Sequence, residues 1–145
     1  MPSPEVRLAV SEADRRQAFA VRIEVFVEEQ GVPASLELDE HDATADHFLA
    51  LLDGQAVGAG RLLPSDGDLA VLGRLAVRRQ ARGTGLGVLL VRAVEDRAAE
   101  RGLRALLLHS QTQATGFYER LGYESYGPEE LEAGIPHVWM RKNLT

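Results

Sequence analysis

The pattern of apolar and polar residues predicts a chain that alternates between strands and helices. A short apolar run predicts a first strand from Val6 to Val10. Ser11 then offers an N-cap, with Asp14 three residues later as a partial capping box. Apolar residues follow at spacings of four and three, which mark one face of a helix: Phe19, Ile23 and Phe26. We expect this helix to end near Gly31 and Pro33, because both residue types stop helices.

Three strands in succession are predicted in the middle of the chain, where apolar runs are separated by turn residues. The runs extend over His47 to Leu52, Ala56 to Leu63 and Leu69 to Val77. Asp53-Gly54 is a favoured hairpin turn between the first two runs. Pro64-Ser65-Asp66-Gly67 predicts the turn before the third.

The second half of the chain adds two helices and three strands. Apolar residues from Leu86 to Arg97 predict an amphipathic helix that ends near Gly102. The short apolar run Ala105 to Leu108 is typical of a strand that is buried on both faces. The remaining elements are a helix from Thr112 to Leu121 that stops at Gly122, and a last strand pair, Tyr123 to Tyr126 and His137 to Arg141.

This order, β-α-β-β-β-α-β-α-β-β, predicts an α/β (α+β) fold with a mixed sheet flanked by helices. Consecutive strands favour antiparallel pairing, whereas a strand-helix-strand unit favours parallel pairing. We expect the sheet to splay where the two kinds of pairing meet, and to bind a ligand in that crevice. The length of 145 residues predicts a single domain over residues 1–145.

Composition excludes several classes of protein. A net charge of -6 argues against general nucleic-acid binding, and the absence of cysteine removes disulfides, thiolate metal sites and a cysteine nucleophile. We expect a cytoplasmic protein with no membrane partner, since the chain shows no signal-peptide pattern and no apolar run of membrane-spanning length. Asp39-Glu40-His41-Asp42 contains metal-ligand residue types, but four consecutive residues cannot all face one ion, so we predict no metal.

A glycine-rich segment between a predicted strand and a predicted helix carries the strongest chemical signal. It extends from Gln80 to Gly87 and has glycines at 83, 85 and 87. Glycines let backbone N–H groups approach an anion closely, and a helix start adds roughly half a positive charge. Arg82 can add charge-assisted bonds to phosphates. A Walker loop would need a lysine, and a dinucleotide fingerprint would need glycine where Val88 stands. The alternative is a tight strand-to-helix turn without a ligand.

The segment Gln80-x-x-Gly83-x-Gly85 resembles the Q/R-x-x-G-x-G/A signature of the GNAT superfamily of N-acetyltransferases. Residues 111–123 resemble that family's A-x-x-F-Y-x-x-x-G-F/Y element, and residues 25–33 and 134–137 are similar to its ElaA-like branch. The resemblance implies that the turn holds the pyrophosphate of acetyl-CoA and that the preceding strand splays to bond its pantetheine. It assigns the binding of this co-substrate to Leu75, Ala76, Val77, Gln80, Arg82, Gly83, Thr84, Gly85, Leu86, Gly87 and Gln111.

Acetyl transfer to an amine requires a neutral amine, a donor for the oxyanion and a thiolate that can leave. A lysine-like amine has a pKa of ~10.4, so its deprotonation at pH 7 costs about 4.6 kcal/mol. The resemblance implies that Tyr118 points at the coenzyme sulfur, where its hydroxyl is our candidate general acid. Glu28 and Glu29 are candidate bases, because their segment borders the acceptor site in this fold. Weaker candidates are the four histidines, His41, His47, His109 and His137.

We therefore expect an N-acetyltransferase that moves an acetyl group directly from acetyl-CoA to an amine of a small molecule or peptide. One alternative is a catalytically silent acyl-CoA-binding module for sensing or assembly, and another is the binding of a different nucleotide. Arg74 either pairs with a neighbouring acid or contacts the substrate. Homodimers are frequent among proteins that look like this, and the strand Tyr123 to Tyr126 is a candidate for pairing across a dimer. The identity of the amine stays open.

Overall fold

The computed structural model describes residues 3–144 and contains a seven-stranded mixed sheet. The order across the sheet is β1-β2-β3-β4-β5-β7-β6. Within the described residues, β4 and β5 form the one parallel pair, and the other neighbours are antiparallel. The strands are β1 (Pro4–Leu8), β2 (Asp46–Leu52), β3 (Gln55–Pro64), β4 (Leu69–Val77), β5 (Ala105–Gln111), β6 (Glu124–Glu132) and β7 (Ile135–Asn143).

Four α-helices accompany the sheet among residues 3–144. They are α1 (Glu12–Arg22), α2 (Ala34–Glu37), α3 (Leu86–Glu100) and α4 (Thr115–Glu119). A π-helical segment, Ile23–Glu29, continues α1. Short 3-10 turns lie at Glu40–Ala43, Arg79–Ala81 and Thr112–Ala114. The predicted order of the main elements and the mixed sheet are both confirmed.

The start of α1 is capped as predicted, but without the capping box. Ser11 Oγ accepts a hydrogen bond of 3.0 Å from the backbone N–H of Asp14. The carboxylate of Asp14 instead accepts from Arg7 Nε at 2.9 Å, so it does not return to the cap. The buried face of the helix also differs from the predicted one, because Phe19, Ile23 and Phe26 are only half-buried. The buried face of the helix consists of Ala18, Val21, Arg22 and Val25.

The ends of several strands differ from their predicted positions. The strand β1 lies two residues earlier than expected, because Val10 must leave the sheet before the cap at Ser11 and is 67% exposed. The strand β5 continues to Gln111, pairing with β7 along its whole length. The helix predicted from Thr112 to Leu121 is shorter, with a 3-10 turn followed by the five residues of α4.

The strand predicted from Tyr123 to Tyr126 is the largest error. Tyr123 precedes the strand and lies 2% exposed in the core, whereas β6 extends from Glu124 to Glu132. Every residue of β6 is exposed, so neither face of the strand requires apolar side chains. Its sequence therefore lacks the alternation of apolar and polar residues that indicates a strand. A register shift between Tyr126 and Glu130 accommodates Gly127-Pro128. In the sequence, these two residues indicate the end of a strand, so the continuation of β6 was not predicted.

Helices α1 and α3 cover opposite faces of the sheet. Phe48 and Ala50 of β2 pack in the cluster that contains α3, while their neighbours Leu49 and Leu51 pack in the cluster that contains α1. Successive strand residues point to opposite faces, so the two clusters are the two sides of one sheet. The sheet is thereby covered on both faces.

Candidate active site

The parallel pairing of β4 with β5 covers only three residue pairs, and a cleft opens where it stops. The last pair joins Val71 to Leu107. On its other side β4 carries a bulge, because Ala59 faces Ala76 but Arg61 faces Gly73. A bulge bends its strand, and here the bent end of β4 runs beside the gap rather than along β5. The cleft between the two strands has a volume of about 840 Å³.

The end of β4 presents backbone groups to this cleft. The N–H of Arg78 donates to the carbonyl of Val57 at 2.7 Å, so this position is bonded to β3. Because successive backbone groups of a strand point in opposite directions, those of Val77 point away from β3. The carbonyl of Val77 accordingly accepts from Arg82 Nε at 2.9 Å instead of joining the sheet. The predicted splay thus leaves backbone groups at the end of β4 outside its ladder with β3.

The glycine-rich turn continues directly from this strand end into α3. Gly83 and Gly85 have φ values of +79° and +85°, the left-handed region that glycine adopts most readily. A Cβ atom built at either position would meet nothing within 4 Å, so their requirement is conformational. The first intrahelical bond runs from Leu89 to Gly85, which leaves the N–H groups of Leu86 to Val88 without a helical partner. A helix start with such groups is suited to bind an anion.

Glycine is required at position 87 for a different structural reason than at positions 83 and 85. A Cβ atom there would lie 3.2 Å from Cζ of Phe117, which is closer than ordinary van der Waals contact. The missing side chain therefore makes room for the aromatic ring of α4. Thr84 Oγ1 donates to the carbonyl of Ala81 and braces the same turn from within.

Arg82 and Glu29 form an ion pair beside the turn. Arg82 Nη2 lies 3.0 and 2.9 Å from the two carboxylate oxygens of Glu29. Arg82 lines the cleft, whereas Glu29 and the exposed Glu28 are not among its lining residues. Gln111 lines the cleft at the end of β5 and donates to Gln30 at 2.8 Å, while Gln80 is exposed at the 3-10 turn. The structure thus brings Arg82 and Gln111 to the cleft and leaves both glutamates at its margin.

Tyr118 lines the cleft from the side of α4. Its ring packs edge-to-face against Phe117 and Tyr123, at centroid distances of 5.0 and 5.9 Å. Burial raises the pKa of Tyr118 to about 12. The hydroxyl consequently stays protonated across the physiological range and is available as a proton donor.

A network of arginines and carboxylates closes the opposite end of the cleft. Arg74, at the bulge with φ +54°, pairs with Asp39 at 3.2 Å and with Glu37 at 3.3 Å. The ion pair anticipated as one role of Arg74 is therefore present. Behind it, the buried guanidinium of Arg22 binds Glu37 at 2.9 Å and Asp42 at 2.8 Å. The carboxylates of Glu37, Asp39 and Asp42 thus bind arginines and anchor α2 to the sheet.

The carboxylates of this network differ in their electrostatics. Burial opposes ionisation of Asp42, but hydrogen bonds from Arg22 and from the backbone of Asp39 outweigh it and lower its pKa to about 2. Burial dominates at Glu37 and raises its pKa despite the hydrogen bond from Arg22. Among residues 3–144 no group of three or more acidic and histidine side chains has the geometry to hold a metal ion.

The four histidines fall into two kinds. His47 is buried with Nε2 2.7 Å from the carbonyl of Asp42, and its ring packs against Phe19, so it has a structural role. His41 is exposed at the edge of the cleft. His109 and His137 line the cleft together.

The two cleft histidines lie against Trp139 and Glu132, which sequence analysis missed. Glu132 stands at the end of β6, in the part after Tyr126 whose polar sequence gave no strand signal. Trp139 stands on a strand that was predicted, but its position opposite His109 follows from the pairing of β5 with β7, for which the sequence gave no signal.

Comparisons with known proteins agree with this geometry. The model of the acetyltransferase (GNAT) domain family matches residues 9–144. The chain is 40% identical over 137 residues to YjcF of Bacillus subtilis, an uncharacterized N-acetyltransferase, covering 94% of this chain and 97% of the relative.

Two solved structures are similar in fold. An acyl-CoA N-acyltransferase from Pseudomonas aeruginosa superimposes with a TM-score of 0.84 at 29% identity, covering 98% of this chain and 99% of the other. Escherichia coli ElaA superimposes with a TM-score of 0.83 at 24% identity and the same coverage, which shows likeness of fold. No helix among residues 3–144 is long and apolar enough to cross a membrane. From the sheet, the cleft and these relatives together, the chain belongs to the GNAT family of acetyltransferases.

Proposed function

We propose that this protein transfers an acetyl group from acetyl-CoA to a primary amine by direct attack in a ternary complex. The observation that carries the proposal is the end of β4, from Gly73 to Val77, which pairs with β3 but not with β5 and is followed by the helix start at Gly85. Backbone groups along the cleft are therefore followed in the chain by a helix start that is suited to bind an anion. This sequence of groups suits a ligand with an amide-rich arm that ends in a pyrophosphate.

The residues of the turn fit such a donor. In the proposal, the N–H groups of Leu75 and Val77 bond the pantetheine arm, with Ala76 between them. The N–H groups from Arg82 to Gly87 and the guanidinium of Arg82 hold the pyrophosphate. A charge-assisted bond of this kind contributes about 1.5–3 kcal/mol. The ion pair with Glu29 supports this bond, because it orients the guanidinium of Arg82 beside the turn.

Tyr118 supplies the general acid in this proposal. Its buried hydroxyl, with a pKa of about 12, is protonated when the thiolate leaves. General acid catalysis contributes typically about 10²–10⁴-fold, toward the low end here because a thiol of pKa ~8.5 already leaves well. Glu28 and Glu29 remain candidates for the base, although Glu29 must then release Arg82.

The first experiment measures ligand binding by thermal shift and turnover by thiol release over a panel of amines. We expect acetyl-CoA, and neither NAD nor ATP, to raise the unfolding temperature. Tyr118→Phe should lower kcat by about 10–10²-fold with an unchanged thermal shift, because only the proton donor is lost. Tyr126→Phe is the matched control, since Tyr126 is exposed on β6 and should leave both measurements unchanged.

The outcomes separate the alternatives. Binding of acetyl-CoA without turnover on any amine would favour the silent acyl-CoA-binding module. Equal rates in the Tyr118→Phe variant and the unaltered protein would remove Tyr118 from the mechanism. Protection by another nucleotide alone would contradict the proposed donor.

A further inference from the structure

Side chains from the last three strands meet on the wall of the cleft. His109 of β5 lies directly opposite Trp139 of β7, and the ring of His137 lies on the same side. The ring centroids of His109 and Trp139 are 4.6 Å apart, and those of His109 and His137 are 4.9 Å apart. Ala133 and Gly134 both have positive φ, which gives the tight turn that returns Glu132 beside the two imidazoles.

The hydrogen bond to Glu132 fixes the tautomer of His109. Nδ1 of His109 lies 2.7 Å from a carboxylate oxygen of Glu132. An ionised carboxylate only accepts, so Nδ1 carries the hydrogen and Nε2 carries the free lone pair. Nε2 is buried and has no hydrogen-bond partner among the described residues. An imidazole in this state is ready to accept a proton.

His137 supports the same carboxylate from the other side. Its Nδ1 lies 2.7 Å from the carbonyl of Ile135, and a carbonyl only accepts, so this nitrogen also carries its hydrogen. Its Nε2 lies 3.7 Å from the second carboxylate oxygen of Glu132. Glu132 therefore stands between two imidazoles and stabilises positive charge on either.

We infer that His109, oriented by Glu132, is the base that takes a proton from the acceptor amine; the inference rests on the proposed acetyl transfer. Glu130 lies 3.7 Å from Nε2 of His109, too far for a hydrogen bond, and is half exposed on β6. An ammonium ion that takes Glu130 as its counter-ion is thereby held beside Nε2. The other charged and titratable groups that line this cleft are Tyr118, Glu37, Asp39, His41, Arg61, Arg74 and Arg82.

The proton balance of the reaction is complete with these groups. Nε2 of His109 takes one proton from the ammonium and passes it to solvent. The neutral amine attacks the thioester carbonyl, so that the N–C bond forms and the C–S bond breaks. The sulfur takes the proton of Tyr118, and the second proton lost from the nitrogen returns to Tyr118 through solvent. One thiol, one amide and one released proton result.

The test is the pH dependence of kcat and kcat/KM for a primary amine. His109→Gln keeps a polar group of similar reach but accepts no proton at neutral pH. We expect it to lower kcat by about 10²-fold or more and to abolish the acidic limb of the profile, with the acetyl-CoA thermal shift retained. Glu132→Gln should move the inflection of that limb to lower pH, because an amide does not stabilise an imidazolium. A merely structural role for Glu132 would not move the inflection.

The matched control is Glu124→Gln, an exposed carboxylate at the far end of β6, which should not change the profile. If the unaltered protein acetylates an amine and His109→Gln keeps its rate and profile, the inference fails while the proposed function stands. Loss of the acidic limb in Glu28→Gln or Glu29→Gln, but not in His109→Gln, would also overturn it. Absence of turnover in the unaltered protein would instead overturn the proposed function.

Discussion

Replacement of Arg22 by methionine should destabilise the fold more than any surface ion-pair change. Arg22 is 1% exposed, and its guanidinium bonds the carboxylate of Glu37 at 2.9 Å, the carbonyl of Glu37 at 2.8 Å and the carboxylate of Asp42 at 2.8 Å. Methionine fills much of the same volume without a charge. Two carboxylates then lose their nearest counter-ion inside the protein.

The expected loss follows from the surroundings of those carboxylates. Breaking a buried pair by removing one partner costs about 3–5 kcal/mol. Arg74 lies 3.3 Å from Glu37 and Arg61 lies 3.0 Å from Asp42, so neither carboxylate loses every counter-ion. We therefore expect the lower end, about 3 kcal/mol. At roughly 2–4 °C per kcal/mol for a chain near this size, the melting temperature falls by about 6–12 °C.

Thermal and guanidinium denaturation followed by far-UV circular dichroism measures this loss. Arg16→Met is the matched control, because Arg16 pairs with Glu12 on the same helix with both side chains more than 70% exposed, and such a pair contributes under about 0.5 kcal/mol. The double variant Arg22→Met/Glu37→Gln should recover part of the loss by removing one uncompensated carboxylate. If Arg22→Met unfolds with the same free energy as Arg16→Met, the account of the network is wrong.

Three further predictions test other parts of the structure. The folded-state pKa of Asp42, about 2, lies below the ordinary ~3.9. Its contribution to the free energy of unfolding is therefore present above pH ~4 and disappears as the pH falls toward 2. The free energy of unfolding of Asp42→Asn, measured by denaturation at each pH, should lack this acid-dependent component. Gly85→Ala strains a φ of +85° and should weaken the thermal shift by acetyl-CoA, whereas Gly67→Ala strains a φ of +62° in a distant turn and should reduce stability alone. Tyr123→Phe removes the hydrogen bond of 2.9 Å to the buried Glu95 and should lower the free energy of unfolding by about 1–3 kcal/mol in urea titrations.

Sequence patterns predicted the side of the cleft formed by β4 and the glycine turn better than the side formed by β5, β6 and β7. The strand from Leu69 to Val77 and the turn that follows have local signals, because an apolar run, three glycines and a helical period each arise from neighbours in the chain. A splay of the sheet was predicted from the order of elements and from the family resemblance. Its cause, the bulge at Arg74, had no signal, since a non-glycine residue with positive φ is uncommon.

The side formed by β5, β6 and β7 depends on contacts between residues far apart in sequence. His109 and Glu132 are 23 positions apart and meet only because β7 lies between β5 and β6. Arg22 is similar: an arginine on an amphipathic helix reads as a solvent residue, and its burial follows from carboxylates 15 and 20 positions away. Periodicity cannot report such pairings, because it records only the local environment of each element.

The close contact between Gly87 and Phe117 sets a distance in the active site. Phe117 is followed directly by Tyr118, so the ring that rests on the bare backbone of α3 also determines how far the phenol hydroxyl stands from the helix start. A bulkier residue at position 87 would push α4 outward and lengthen that separation. Gly87, the third glycine of the turn, therefore acts as a spacer that sets how closely α4 approaches α3, apart from any contact with a ligand.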